Sequence, residues 1–383
     1  MGRINELIKE LCPNGVIYKK YGDVFEIKTG KGITTKEATD DGLYPIISGG
    51  TTPMGYYHSY NRDENIVTVS RVGANAGYVN FITEKFYLND KCFSIIPKDE
   101  FVKCFIPKYI YHYTKNIENK IMELQSEGGV PTINTQKVSN LLMPMLPIDV
   151  QLEIITVLDK FGELEAELEA ELEARKNQYE FWRGKIINMY DSKNIKLSDM
   201  AKIYDGTHST PNYQENGIPF ISVENISNIY GTNKFISKED YKKYKIKPEI
   251  NDVFMTRIGT IGKCSVFEKQ IDLAYYVSLA LIRPNTEIIL PKYLKYVIES
   301  NIGKDELYKR TLVHAVPIKV NKDEIGKIVL PVPSIDDQKK IISKLDKFES
   351  LTESNSSGLP AEIELRRQQY EYYRNKLLNF EVL

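Results

Sequence analysis

The chain has 383 residues, 42% hydrophobic and 27% charged, a balance typical of folded globular proteins that excludes a disordered or fibrous chain. No apolar run approaches the roughly 18 residues needed to span a membrane, and the four cysteines lack the spacing of metal ligands or of a disulfide framework. The net charge of −1 conceals an asymmetry, because residues 149–190 carry −5 and the rest of the chain +4. We therefore expect a cytoplasmic protein with only a local basic face.

The first 147 residues have the pattern of short strands. Gly, Tyr, Val and Ile occur in short runs that turn residues interrupt. This stretch ends at Pro144-Met-Leu-Pro147, a segment that we call the proline-marked exit. Residues 148–190 then show a helical pattern with apolar residues three and four positions apart. Within this helix, residues 163–174 repeat Glu-Leu-Glu-Ala three times. We interpret that run as a solvated spacer whose glutamates do not touch phosphates, each repeat adding about 6 Å.

The second half of the chain has the same order of elements. A strand-rich stretch ends at a second proline-marked exit, 331–333, and a helical pattern covers 335–380. Ser334 is the expected N-cap of this helix, with Asp337 three positions later. A glycine and a proline within 352–360 predict a break or loop in the helix.

An internal repeat with a period of about 186 residues relates the two halves. The matched pairs are Arg71-Val72-Gly73 with Arg257-Ile258-Gly259, Pro107-Lys108-Tyr109 with Pro291-Lys292-Tyr293, Val130-Pro131 with Val316-Pro317, Ile148–Gln151 with Ile335–Gln338, Leu158–Phe161 with Leu345–Phe348, and Gln178–Glu180 with Gln369–Glu371, while Gly30 and Pro45 match Gly206 and Pro219 at shorter offsets. So many matches in one order indicate a duplication.

Each long helix has a one-sided apolar stripe that it cannot bury alone. We expect the two helices to pack side by side and antiparallel, which would relate two globular units by a pseudo-two-fold axis. The alternative is that each helix packs on its own globular unit or mediates dimerisation.

Catalytic signatures are missing from the sequence. The segment nearest to a phosphate-binding loop, Gly259–Cys264, is two residues short and ends in cysteine. We find no Asn/Asp-Pro-Pro-Tyr/Phe methyltransferase motif, no metal-ligand spacing of the histidines and no nucleophile motif around a Ser or Cys. We therefore expect no catalysis and no metal site, with an enzyme of an unfamiliar kind as the alternative.

This layout resembles the specificity subunits of type I restriction-modification systems. The resemblance covers the whole chain and rests on the repeated exit and helix motifs together with Gly206–Pro211, Pro219–Ser222 and Arg257–Thr260. The first unit departs from the pattern. Its segment around the matched proline is Tyr44–Gly50, and it contains no Gly-Thr-His sequence. Such a departure is what two units that read different sequences should show.

The resemblance implies an α+β fold in which two target recognition domains are joined by two long antiparallel helices that form a coiled-coil spacer, with a pseudo-two-fold internal repeat. The recognition domains would be residues 1–147 and 192–333, and the spacer helices 148–191 and 334–383. The chain would read a split, asymmetric site in double-stranded DNA and dock methyltransferase (M) and endonuclease/translocase (R) subunits. S-adenosylmethionine, ATP and Mg would bind to those partners, and this chain would bind no cofactor.

Base reading in the major groove requires hydrogen-bond donors and acceptors, and arginine favours guanine. The two Arg-x-Gly segments suit this task, because each arginine follows an apolar strand-like run and the glycine lets the backbone approach a ligand closely. The candidate DNA-contacting residues are Lys31, Ser48, Thr51, Thr52, Tyr56, Arg71 and Asn75 in the first unit and Thr207, His208, Thr210, Asn212, Asn225, Arg257, Thr260 and Lys263 in the second. An internal salt bridge is the alternative for each arginine, and ordinary packing is the alternative for each tyrosine.

Two rival functions are left open by the sequence. One is a coiled-coil assembly adaptor whose globular units bind protein rather than DNA. The other is an enzyme fused to its own recognition domains, which would need a methyltransferase motif that the sequence lacks. Salt dependence separates the first rival from a DNA reader, since binding through phosphate contacts weakens steeply with salt.

Overall fold

The computed structural model describes residues 2–39, 41–126, 129–352 and 358–380. The chain forms two compact units, the first made of Met1–Leu168 and Ile363–Leu383 and the second of Glu169–Glu362. Both units combine short strands with helices, as the sequence predicts. In the described part of the chain, none of the helices has the length and apolar character needed to cross a bilayer.

Short elements precede the first long helix. They are, in chain order, α1 (Gly2–Leu11), β1 (Tyr18–Lys20), α2 (Tyr21–Val24), β2 (Phe25–Thr29), β3 (Tyr44–Ile47), β4 (Tyr56–Tyr57), β5 (Ile66–Ser70), β6 (Val79–Ile82), β7 (Tyr87–Leu88), β8 (Cys92–Pro97), a 3-10 helix (Asp99–Cys104), α3 (Pro107–Asn116), α4 (Glu118–Met122), α5 (Thr135–Val138) and β9 (Leu142–Pro144). The long helix α6 (Ile148–Ile187) follows directly, and in sequence it crosses the boundary between the two units.

The second half repeats this order. Its elements are β10 (Ser192–Lys196), α7 (Leu197–Met200), β11 (Ala201–Asp205), β12 (Ile218–Ile221), a 3-10 helix (Val223–Asn225), β13 (Phe235–Ile236), α8 (Lys238–Lys242), β14 (Val253–Ile258), β15 (Thr260–Val266), β16 (Ala274–Tyr275), β17 (Leu279–Pro284), α9 (Pro291–Glu299), α10 (Asn301–Tyr308), α11 (Lys322–Gly326), β18 (Val329–Pro333), α12 (Ile335–Thr352) and α13 (Gly358–Leu378).

The sheets of the two units have the same topology, so the sequence repeat is also a structural one. The first unit has a four-stranded antiparallel sheet in the order β2-β8-β5-β6, and the second has β11-β17-β14-β15. A smaller sheet accompanies each, β4-β3-β7 and β13-β12-β16, in which one strand pair is parallel. A two-stranded sheet, β1-β9 or β10-β18, leads into the long helix.

The repeated Pro-Lys-Tyr motif opens a helix that packs against each four-stranded sheet. Proline occupies the first turn of α3 and of α9, where its missing N–H costs no hydrogen bond. The tyrosine of each motif, Tyr109 or Tyr293, is fully buried in the core. Tyr109 Oη donates to Pro144 O at 3.3 Å, and Tyr293 Oη donates to Pro331 O at 2.8 Å. The motif and the proline-marked exit therefore recur together because they are in contact.

The repeated glutamine near the start of each long helix is buried. In the first unit, Gln151 Oε1 accepts a hydrogen bond from Ile106 N at 2.9 Å. Its Nε2 donates to Cys104 O at 2.7 Å and to Leu146 O at 2.8 Å. One side chain thus satisfies three backbone groups that have no partner in a helix or strand, and it fixes where α6 begins.

Gln338 makes the same three contacts in the second unit. Its Oε1 accepts from Leu290 N at 2.8 Å, and its Nε2 donates to Ile288 O at 2.9 Å and to Pro333 O at 3.0 Å. Both glutamines have no exposed surface. The helices α6 and α12 therefore begin in the same way.

The start of α6 packs against α13 within the first unit. The rings of Phe161 and Tyr373 stack with centroids 5.4 Å apart, and Arg367 Nε donates to Glu165 Oε1 at 2.6 Å. Residues farther along α6 contact residues nearer the start of α13, so the two helices are antiparallel, as predicted from the sequence.

The end of α6 packs against α12 in the second unit in the same manner. The rings of Tyr179 and Phe348 stack at 6.3 Å, and Lys344 Nζ lies 3.3 Å from Tyr190 Oη, just beyond the end of α6. The two phenylalanines belong to the repeated Leu-Asp-Lys-Phe motif. Each of them therefore packs on an aromatic residue from the other half of the sequence.

The Glu-Leu-Glu-Ala run lies inside α6, which ends at Ile187, three residues before the predicted end. Its leucines, Leu164, Leu168 and Leu172, are half-buried, and most of the glutamates are exposed. An uninterrupted helix of 40 residues is about 60 Å long at 1.5 Å per residue. The run has the geometry of a spacer.

The second long segment begins as the sequence predicts. Asp337 N donates to Ser334 Oγ at 3.2 Å, which confirms Ser334 as the N-cap. Helix α12 ends at Thr352, and α13 begins at Gly358 with a left-handed φ of 77°. Residues 353–357, in which most of the predicted break falls, lie outside the described part of the chain.

Candidate nucleic-acid interface

Four segments of the first unit meet at one end of its four-stranded sheet. We call them the first loop cluster, made of residues 30–33, 47–52, 71–75 and 88–91. Backbone hydrogen bonds connect the segments, since Lys31 N donates to Leu88 O at 3.0 Å and Arg71 N to Lys91 O at 2.7 Å. The strands β2, β3 and β5 end at this cluster and β8 begins there, so rigid elements hold its loops in place.

The first loop cluster contains most of the candidate DNA-contacting residues of this unit. Asn75 is exposed and donates through Nδ2 to Gly49 O at 3.1 Å. Arg71 is half-exposed and donates through Nη1 to the backbone oxygen of Asp90 at 3.2 Å. The cluster also exposes Lys31, Thr51 and Thr52. These side chains present donors and acceptors of the kind that base edges and phosphates bind.

Two predicted residues of the first unit are placed differently. Ser48 belongs to the cluster, but it is 7% exposed and presents little surface to a ligand. Tyr56 is 43% exposed and lies on β4, outside the cluster. Burial at the end of β3 separates Ser48 from the exposed loop that follows it.

The second unit has a corresponding second loop cluster, made of residues 205–210, 257–260, 275–278 and 312–319. Thr207 N donates to Tyr275 O at 3.1 Å, and Gly259 N donates to Ile318 O at 2.9 Å. Within this cluster, the candidate residues predicted from the sequence lie in the first two segments only. The repeated Val316-Pro317 pair is the one sequence signal in the fourth segment.

Arg257 does not have the exposed position that a base-reading arginine requires. It is 7% exposed, and its Nη1 forms an ion pair with Asp205 at the end of β11. Of the two interpretations from the sequence, the structure therefore favours the internal salt bridge at this position. A buried arginine keeps its charge only with such a partner, because an unpaired charge in the interior is costly.

Asn225 also has a local role. Its Oδ1 accepts a hydrogen bond from Ser222 N at 3.0 Å, which caps the short 3-10 helix that it ends. The remaining candidates of the second unit present surface to solvent. Thr207 is half-buried, and the exposed ones are His208, Thr210, Asn212, Thr260 and Lys263. Thr260 and Lys263 lie on β15, directly after the Arg-x-Gly turn.

The repeated glycines explain how the backbone of each cluster is held. A Cβ atom on Gly30 would lie 2.1 Å from Leu88 O, and one on Gly206 would lie 2.5 Å from the carbonyl carbon of Tyr276. Only glycine allows this close approach. The next residue in each copy, Lys31 or Thr207, is consequently fixed at the edge of its cluster.

Both clusters carry a modest positive charge. The first contains Lys31, Arg71 and Lys91 against one acid, Asp90. The second contains Arg257 and Lys319 against Asp205, with two histidines in addition. Lys91 and Lys319 were not among the predicted residues, since neither belongs to a motif. Within the part of the chain that the structure describes, no three His, Cys, Asp or Glu side chains converge as metal ligands would.

Comparison with known proteins gives matches over most of the chain. The family model described as the type I restriction modification DNA specificity domain matches twice, at residues 13–174 and 189–365. The Escherichia coli type I restriction enzyme EcoR124I/EcoR124II specificity subunit is 30% identical over 290 residues, covering 71% of this chain and 70% of that protein. A putative type I restriction enzyme specificity subunit of Haemophilus influenzae is 28% identical over 350 residues, covering 87% of each.

Solved structures share the fold at low sequence identity. The S subunit of a type I restriction-modification system from M. genitalium has a TM-score of 0.53 and 17% identity, covering 96% of both chains. A chain from a structure on complex assembly and conformational transition of the type I R-M system has a TM-score of 0.62 and 15% identity, covering 96% of this chain and 98% of that one. The predicted α+β fold with two related domains and a long spacer helix is thereby confirmed, and the chain belongs to the type I restriction-modification DNA specificity family.

Proposed function

We propose that each unit of this specificity subunit reads one half of a split, asymmetric site in double-stranded DNA. The observation that carries the proposal is that the two loop clusters lie at the same end of sheets with the same topology but present different side chains. We call these shared sheets, together with the buried residues Gln151, Gln338, Tyr109 and Tyr293, the frame. An equal frame gives each unit the same approach to the duplex, and unequal loops give each unit a different base preference. The recognition domains would be residues 1–147 and 192–333, and the spacer helices 148–191 and 334–383.

The charge distribution supports contact through the loop clusters rather than through α6. Both clusters carry more basic than acidic side chains, whereas the Glu-Leu-Glu-Ala run carries six glutamates. Phosphates would be attracted to the clusters and repelled by the run. In the first unit the proposed contacts are Lys31, Thr51, Thr52, Arg71 and Asn75, and in the second they are Thr207, His208, Thr210, Asn212, Thr260 and Lys263.

The chain itself would carry out no catalysis and would act in the cytoplasm on the cell's DNA. Its partners would be methyltransferase subunits, which supply S-adenosylmethionine chemistry, and an endonuclease/translocase subunit that uses ATP and Mg. The long helices expose large apolar side chains that could dock these subunits, among them Phe181 at 55%, Leu365 at 65% and Tyr372 at 58%. Membership of the specificity family favours this function over an adaptor that binds only protein.

The Glu-Leu-Glu-Ala run would act as a ruler between the half-sites. Each repeat adds about 6 Å of helix, and a base pair step is about 3.4 Å. Removing one repeat should therefore shorten the preferred gap by roughly one to two base pairs. The gap can be measured by mapping methylated adenine in cells that express the shortened chain. An unchanged gap would contradict the ruler.

The test of the function is a genome-wide map of methylated adenine with the gene intact and deleted. Deletion should remove one split, asymmetric motif and leave other methylation unchanged. Binding of the assembled complex to a duplex with that motif should also weaken steeply with salt, since several phosphate contacts release counterions. If the complex is expressed with its partners and no motif depends on the gene, the proposal is wrong.

A further inference from the structure

The loop 312–319 exposes aliphatic side chains beside the candidate DNA-contacting residues of the second unit. Leu312 N donates to Lys319 O at 2.8 Å, which closes the loop at its base. Val316 near the tip is 100% exposed. The loop also exposes Leu312 at 46%, Val313 at 42% and Ile318 at 38%. Contiguous exposed aliphatic side chains on a folded protein mark a contact surface more often than single exposed ones do.

The loop is held against the Arg-x-Gly turn by backbone hydrogen bonds. Gly259 N donates to Ile318 O at 2.9 Å, and Val320 N donates to Arg257 O at 3.0 Å. Thr260, an exposed candidate DNA contact, directly follows this turn. A ligand bound at the turn therefore lies next to the loop.

The first unit holds a loop in the same register. Gly73 N donates to Pro131 O at 3.0 Å, and Ile133 N donates to Arg71 O at 2.9 Å. Val130, next to this contact, is 62% exposed. Each copy therefore has an exposed valine one or two residues before the residue whose carbonyl accepts from the Arg-x-Gly turn, which indicates a role shared by the two units rather than an accident of one loop.

The charge of the loop favours DNA as its ligand over an apolar protein surface. Residues 312–319 contain no acid, and Lys319 is exposed at the base of the loop. An apolar partner would have to desolvate that lysine, whereas a phosphate would pair with it. In the major groove, bases also offer an apolar group, the C5-methyl of thymine, which aliphatic side chains contact.

We propose that the loop 312–319 enters the major groove of the half-site read by the second unit. Val316 contacts a thymine methyl group there and contributes to sequence choice, and Lys319 contacts a phosphate and contributes to affinity alone. This inference rests on the proposed function, because it specifies how one of the two units reads its half-site.

The two residues give different signatures in one experiment. The full chain, assembled with its methyltransferase subunits, is titrated with two kinds of duplex. One carries the motif mapped for the unaltered chain, and each of the others has a single T·A pair of that motif replaced. Val316→Ser should weaken the cognate duplex about tenfold, the scale of one to two lost methyl contacts, and should reduce discrimination at one T·A pair of one half-site. Lys319→Ala should weaken all duplexes alike and lower the salt slope by about one.

Ile250→Ser is the matched control. Ile250 is 45% exposed in the same unit but lies outside the second loop cluster, so its replacement should leave affinity and discrimination unchanged. All three substitutions are at exposed positions and should leave the melting temperature unchanged. Val316→Ile, which keeps the apolar surface, should retain discrimination at the T·A pair that Val316→Ser relaxes.

Unchanged discrimination in Val316→Ser, or a half-site without a T·A pair, would overturn the inference while leaving the proposed function intact. Loss of assembly with the methyltransferase subunits in Val316→Ser would also overturn it, and would identify the loop as a protein contact. If the unaltered complex prefers no split duplex at all, the proposed function fails and the inference fails with it.

Discussion

Arg71 and Arg257 occupy the same place in the two units and have different surroundings. Arg71 is half-exposed and donates to a backbone oxygen, whereas Arg257 is buried and paired with Asp205. The difference originates on the edge strand of the four-stranded sheet, because β2 ends in Thr29 where β11 ends in Asp205. One acid decides whether the same arginine is available to a ligand or belongs to the interior.

The frame around these arginines shows no such difference. Gln151 and Gln338 make the same three backbone contacts, and Tyr109 and Tyr293 both donate to a proline carbonyl at the exit. The two copies therefore share the contacts that position the loops and differ in the side chains that the loops present. Substitutions in the frame should affect stability in both units, and substitutions in the clusters should affect one half-site each.

The largest effect is expected for the frame glutamines. Gln338→Leu leaves three buried backbone groups without a partner, and each such group costs about 1–3 kcal/mol. We expect a loss of about 4 kcal/mol in the free energy of unfolding, and a similar loss for Gln151→Leu. Urea unfolding of the full chain measures both.

The control for these variants is Gln178→Leu on the exposed part of α6. This side chain accepts from Arg175 at the helix surface and contacts no buried backbone group among the described residues. Its replacement should cost less than about 0.5 kcal/mol. Equal losses for Gln178→Leu and Gln338→Leu would show that the buried contacts are not what stabilises the frame.

Breaking the ion pair of the second unit should have the next largest effect. Asp205→Asn removes the charge that compensates Arg257, and we expect it to cost about 3 kcal/mol. Asp90→Asn is the matched change in the first unit, where Arg71 contacts the backbone oxygen and not the carboxylate. It should leave the free energy of unfolding almost unchanged. Similar costs for the two variants would contradict the different roles assigned to the two arginines.

The frame could be predicted from the sequence because its contacts are made by residues that recur in both halves. The Leu-Asp-Lys-Phe pair, the buried glutamines and the proline-marked exits all lie in the helix starts and in the contacts that support them. The N-cap at Ser334 and the antiparallel packing followed from local patterns. Repetition reveals such positions since both copies need the same geometry.

The candidate site was less accessible to sequence reasoning. The pairing of Arg257 with Asp205 joins residues 52 positions apart, and no spacing rule links two strands at that distance in the chain. The capping role of Asn225 depends on a short 3-10 helix that leaves no periodic signal. Lys91 and Lys319 belong to the clusters only because the strands bring their loops together.

Replacing the exposed Arg71 should change DNA binding rather than the stability of the fold. Arg71→Ala is expected to weaken the cognate duplex about tenfold, through one half-site only, with an unchanged melting temperature. Arg175→Ala is the control, since Arg175 is exposed among the glutamates of α6 and pairs with Glu171 at 2.7 Å. Fluorescence titration of the assembled complex measures both. Equal weakening by the two variants would mean that the effect reflects net charge and not the position of Arg71.

The two units also differ at one buried position of α3 and α9. His112 is 4% exposed, and its Nε2 lies 3.1 Å from Asp159 Oδ1 on α6. Burial lowers the pKa of His112 below 6.5, with Lys108 and Arg374 acting in the same direction and Asp159 opposing them. The second unit has Tyr296 at the matching place, donating to Asp346 at 2.5 Å, and burial raises the pKa of this phenol above its ordinary value.

The smallest expected effect is an acid sensitivity confined to the first unit. Since the pKa of His112 is lower in the folded state than in the unfolded chain, the unfolded chain binds more protons, and stability falls as the pH drops below about 6.5. Urea unfolding at pH 7.5 and pH 5.5 should show a smaller acid-induced loss for His112→Gln than for the unaltered chain. Tyr296→Phe should leave the pH difference unchanged, because the phenol does not titrate in this range. An unaltered pH difference in His112→Gln would place the acid sensitivity in the carboxylates that both units share.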